Sequence, residues 1–83
     1  MNPRRFILEK MLRHEWIGGR HTSADNIPRG RPSHEHKAIK KELKNLIRDG
    51  WVTAKPTSYG LQVSLNPRCL KLIHEYIQQE NQA

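Results

Sequence analysis

The feature that most constrains this chain is a change of hydrophobic period at Gly50. Before it, Ile39, Leu43, Leu46 and Ile47 recur at helical spacing. After it, Trp51-Val52-Thr53-Ala54-Lys55 and Leu61-Gln62-Val63-Ser64-Leu65 alternate with a period of two. Such a pattern puts a helix and two strands side by side in the chain, each with one apolar face to bury. Eighty-three residues are enough for one domain and too few for two, so these elements share a single small core. The expected fold class is α+β, with residues 1–83 as one domain.

Punctuation residues set the expected boundaries. Asn2-Pro3 reads as a helix start, and Ile7, Leu8, Met11, Leu12 and Trp16 carry a helix over residues 3–17 to the stop at Gly18-Gly19. Arg20-His21-Thr22 suits a short extended piece. Thr22 or Ser23 caps a short helix over 23–27. Pro28, Gly30 and Pro32 forbid a continuous helix there, so Arg29-Gly30-Arg31 is a turn. Ser33 is the next cap, and the longest helix runs over 33–49 to a C′ glycine at Gly50. A two-stranded hairpin follows over 51–65, with Pro56-Thr57-Ser58-Tyr59-Gly60 as its tip and Leu61, Val63 and Leu65 facing the core. Asn66-Pro67 opens a last helix over 67–79, whose apolar face is Cys69, Leu70, Ile73, Tyr76 and Ile77.

Charge is concentrated in the middle of the chain. The net charge is +7. Residues 20–55 hold nine positive side chains (Arg20, Arg29, Arg31, Lys37, Lys40, Lys41, Lys44, Arg48, Lys55) against four negative ones (Asp25, Glu35, Glu42, Asp49), a net of +5. A balance this basic in a small body points to a polyanionic partner, nucleic acid first and an anionic membrane surface second. On a wheel of about 100° per residue centred on Ile39, the apolar residues of the long helix fall between about −20° and +80°. Lys37, Lys40, Lys41, Lys44 and Arg48 share an arc from about 100° to 200°, and Glu35, Glu42 and Asp49 one from about 280° to 320°. A helix charged only for solubility more often interleaves the signs. Here Lys37–Lys41 and Lys40–Lys44 are like-charge pairs at i,i+4, a repulsion that a partner would relieve.

The order helix, helix, helix, hairpin, helix, together with Leu46-Ile47-Arg48-Asp49-Gly50-Trp51-Val52 joining helix to strand, resembles the winged helix-turn-helix family. The resemblance covers residues 3–77. It implies double-stranded DNA as partner and the role of a small transcriptional regulator, with the long helix in the major groove. Ser33, His34, Lys37 and Lys41 would then stand nearest the bases, and Lys40, Lys44 and Arg48 along the phosphates. The hairpin would be the wing, with Lys55, Thr57, Ser58 and Tyr59 near a backbone or minor groove. Arg29 and Arg31 would reach phosphates from the turn, which is longer than the short turn typical of the motif. Two alternatives stay open: a winged-helix protein–protein module of a larger nucleic-acid-processing assembly, and binding of structured RNA. Tyr59 itself is either such a contact or a turn-packing residue.

Other functions lack their chemistry. No Gly-rich phosphate loop, Gly-x-Ser-x-Gly elbow or His-Glu-x-x-His is present, and Asp25 and Asp49 sit at helix ends, so no catalysis is expected. His34 and His36 diverge by about 200° on a helix and cannot share an ion, and a lone cysteine, Cys69, forms no paired-cysteine motif. No metal, cofactor or small-molecule ligand is expected. The longest apolar run is Phe6-Ile7-Leu8, far below a membrane span of about 20 residues, and Met1-Asn2-Pro3-Arg4-Arg5 leads into no signal-peptide core. The single cysteine suits a reducing cytosol. Phe6, Ile17 and Leu72 fall off the core stripes and could form an isologous homodimer patch.

Overall fold

The computed structural model of the chain describes residues 1–81. Its first helix, α1 (Pro3–Arg13), opens on Asn2, whose Oδ1 accepts from the Arg5 amide at 3.1 Å. Pro3 follows at a position where a missing N–H costs nothing. The helix stops four residues short of the expected Ile17. Glu15 takes the left-handed conformation (φ 58°), its amide donates to the Leu12 carbonyl at 3.0 Å, and the Trp16 amide donates to the Met11 carbonyl at 2.9 Å. This pair of bonds satisfies the last carbonyls and turns the chain away. Trp16 and Gly18 then bond to the backbone of Leu65, so Ile17 bridges to that residue. Gly18-Gly19 lie in the connection rather than at the helix end.

The expected short helix over 23–27 is a single 3₁₀ turn, Ala24–Asn26, capped by Ser23 Oγ, which accepts from the Asp25 amide at 3.2 Å. Pro28 restricts the residue before it and leaves no room for a longer helix. The helix expected over 33–49 begins as another 3₁₀ turn, Ser33–Glu35, and becomes α2 only over His36–Arg48. The Ser33 hydroxyl makes no capping bond. Instead His36 Nε2 donates to the Arg31 carbonyl at 2.7 Å and secures the entry. At the far end Gly50 is left-handed (φ 84°), its amide bonded to the Ile47 carbonyl and that of Trp51 to Leu46. That is the glycine stop read from the sequence.

The sheet has three antiparallel strands in the order β1 (Thr22–Ser23), β3 (Gly60–Leu65), β2 (Val52–Thr57), where the sequence suggested only a hairpin. A two-residue strand is too short to show a period. The β2–β3 register runs from Val52↔Leu65 to Thr57↔Gly60, so the tip is two residues, Ser58-Tyr59, not five. Thr57 closes it: its hydroxyl donates to the Gly60 carbonyl at 2.7 Å and accepts from the Tyr59 amide at 3.2 Å. Pro56 is accommodated because β2 is an edge strand. Asn66 caps a last 3₁₀ turn, Pro67–Cys69, and α3 (Leu70–Asn81) follows in place of a helix over 67–79.

The core is formed by Ile7, Leu8 and Met11 of α1, Ile39, Leu43 and Leu46 of α2, Val52, Val63 and Leu65 of the sheet, Ile73 of α3, and Ile27 from the connection before α2. Phe6 and Ile17, expected outside it, pack against it, because α1 ends early and Ile17 joins the sheet. Leu72 alone of the three stands exposed, at 51%. Leu61, expected to face the core, is 38% exposed where the hairpin extends past the helices. No helix among the described residues is long and apolar enough to cross a membrane.

Candidate functional site

Burial of Ile39, Leu43 and Leu46 fixes the rotation of α2, and its charged arcs then meet different surroundings. The acidic arc is held from behind. Arg4 of α1 bonds Glu42 Oε2 through Nε and Asp49 Oδ2 through Nη2 at 2.9 Å, with its guanidinium 5.3 Å over the Trp51 ring. Arg31 Nη2 reaches both oxygens of Glu35, at 2.8 and 2.9 Å. The Arg31 bond holds the Glu35 carboxyl below its ordinary range. Burial pushes Glu42 upward, but bonds from the Asn45 amide and Arg4 outweigh it and leave Glu42 lowered as well.

The basic arc has no such partners. Lys37, Lys40, Lys41 and Lys44 are exposed and together line one surface depression of about 500 Å³. None is ion-paired among the described residues. Arg48 continues the arc, its Nε a loose 3.8 Å from Asp49 Oδ1. Ser33 and His34 are exposed just ahead of α2. The structure thus joins the helix residues singled out by the sequence into one cationic face.

The turn before α2 behaves differently. Arg29 is exposed and unpaired among the described residues, whereas Arg31 is committed to Glu35 and to the ring of Phe6, 5.8 Å away. A residue that the sequence reading passed over governs this turn. Lys10 is only 8% exposed, and its Nζ donates to the carbonyls of Asn26 (2.9 Å), Ile27 (3.2 Å) and Arg29 (2.7 Å). Its position three residues after Ile7, next to Met11 on the α1 stripe, was the available signal. Burial lowers its pKa, with the charges of Arg13 and Arg29 acting in the same direction.

The hairpin residues divide between the two sheet faces. Leu61 joins Ala24, Lys40, Leu43, Lys44 and Ile47 around a notch of about 280 Å³, so this edge of the hairpin borders the cationic face. Lys55, paired with Gln62, lies on the opposite face and lines a smaller depression there with His21 and Thr53. The Thr57 hydroxyl is occupied in closing the tip. Ser58 is exposed, and Tyr59 is 92% exposed, packing on neither Trp51 nor Val63. The ring that meets Trp51 is Tyr76, edge-on at 5.9 Å.

Cys69 packs against the core, its thiol donating to the Gly50 carbonyl at 3.5 Å. Among the described residues no three His, Cys, Asp or Glu side chains come together as a metal-ligand group. Comparison with protein-family models, with curated proteins and with solved structures returned no match to this chain.

Proposed function

We propose that the chain is a winged helix-turn-helix protein that binds double-stranded DNA, with α2 as recognition helix and the β2–β3 hairpin as wing, in the role of a small transcriptional regulator. The division of charge along α2 and its two ends carries this reading. All three acids there are held by arginines, Arg4 from α1 and Arg31 from the preceding turn, while four lysines stand together without counter-ions among the described residues. The like-charge pairs Lys37–Lys41 and Lys40–Lys44 each cost a few tenths of a kcal/mol, which a polyphosphate relieves. A protein partner fits less well, since interface cores are depleted of lysine. An exposed helix face suits the wide major groove of B-DNA, not the deep, narrow one of duplex RNA.

In this arrangement Ser33, His34, Lys37 and Lys41 stand nearest the base edges, and Lys40, Lys44 and Arg48 track phosphates. Ser58 and Tyr59 at the hairpin tip reach the neighbouring backbone. The test is a titration of duplex DNA at several salt concentrations. With about five phosphates neutralised, log K falls with log salt at a slope of roughly −4 to −5. A slope near zero, or no binding at low salt, sinks the reading and favours a protein-interaction module.

A further inference from the structure

The Lys10 ammonium has no place in the lysine face, yet it is the most deeply buried cationic side chain of the described residues. Its three bonds to the carbonyls of Asn26, Ile27 and Arg29 use the full donor capacity of an ammonium. Burying that charge is unfavourable in itself, so the bonds must return something. What they produce is a fixed turn. Ile27 and Pro28 are buried, the Arg31 amide closes on the Pro28 carbonyl at 3.2 Å, and Gly30 takes φ 91°, a conformation open to glycine.

Arg29 is the residue this turn presents. Its carbonyl is held by Lys10, while its side chain is exposed and unpaired among the described residues. Arg31, two residues on, is spoken for by Glu35. The space where a Gly30 Cβ would stand is open, so the tip of the turn is slim enough to approach a groove wall.

We infer that Arg29 enters the minor groove beside the major groove occupied by α2, selecting a narrow, A·T-type groove, and that Lys10 is the positioning residue that holds it there. This rests on the DNA reading above. The segment entering α2 lies at the helix end nearest the base pairs, and from there it crosses the sugar–phosphate strand that separates the two grooves. A narrow minor groove concentrates negative potential and attracts a guanidinium, which is more weakly hydrated than an ammonium. In G·C pairs the guanine amine projects into that groove and obstructs entry.

The experiment replaces guanine by inosine beside the site bound by α2, which removes the minor-groove amine and keeps the major-groove acceptors. The wild-type chain is expected to bind the inosine duplex at least about fivefold more tightly than the guanine duplex, the low end of what one base-pair contact is worth. Arg29→Ala is expected to melt normally and bind both duplexes equally. Equal wild-type binding, or a preference that survives in Arg29→Ala, overturns the assignment and leaves the α2 reading standing. Absence of binding to any duplex removes the DNA reading itself. For Lys10→Met the readout is the same ratio, measured below its melting range. A reduced ratio supports positioning, and an intact ratio overturns it.

Discussion

Glu15 and Gly50 occupy the same position in two copies of one helix-ending motif, both left-handed, with φ 58° and 84°. At Gly50 the residue suits the geometry; at Glu15 it does not. A left-handed non-glycine costs about 1–2 kcal/mol. Glycine gives back about 0.5–1 kcal/mol in unfolded-chain entropy. The exposed Glu15–Arg20 ion pair at 3.1 Å offsets little. Glu15→Gly should therefore raise stability by roughly 0.5–1 kcal/mol, seen as a higher denaturant midpoint; a lower midpoint would mean that the ion pair outweighs the backbone. Lys10 has the opposite sign. Lys10→Met leaves three carbonyls without their donor and should cost about 1–3 kcal/mol. An unchanged midpoint would show that water replaces the ammonium.

At the scale of the element, α2 is a sorting device whose three arcs meet the core, the arginines and solvent. Removing charge from the solvent arc should leave the other two untouched. Lys37→Ala with Lys41→Ala relieves one like-charge pair, so the melt should hold or rise slightly. DNA affinity should fall, and the salt slope should shrink by about 2, near one for each phosphate no longer neutralised. A large loss of stability would contradict the exposure of both lysines. The hairpin is likewise an element with two uses: its core face ends at Val63, and beyond that Leu61 borders the notch beside Lys40 and Lys44.

For the whole molecule, ion pairs from Arg4 and Arg31 tie α1 and the turn to α2, and they make the fold acid-sensitive. Glu35 and Glu42 both have folded pKa values below their ordinary 4.5. Their contribution is complete above 4.5 and is lost as pH falls through the lower folded values. The melting temperature should accordingly drop below about pH 4.5, and Arg4→Gln together with Arg31→Gln should flatten that drop. A double variant with the same acid profile would show that these pairs do not hold the fold together.

Local chemistry was legible in the sequence, and distant pairing was not. The caps at Asn2 and Asn66, the stop at Gly50, the strand period and the three arcs of α2 depend on residues within a turn of one another, so spacing alone displays them. The end of α1 did not, because the chain from Trp16 to Gly18 is captured by Leu65, far away in sequence, and the stop falls on a glutamate. β1 exists only as a partner of β3 and has no pattern of its own. Likewise the sequence holds fifteen lysines and arginines without ranking them. Only the tertiary structure buries Lys10, pairs Arg4 and Arg31 with the acids of α2 and its ends, turns Lys55 to the far face of the sheet, and leaves Arg29 and four lysines facing solvent. The sequence determined which residues each short segment presents; the side chain available to a partner was decided by packing between segments, where burial and a neighbouring charge outweigh local preference.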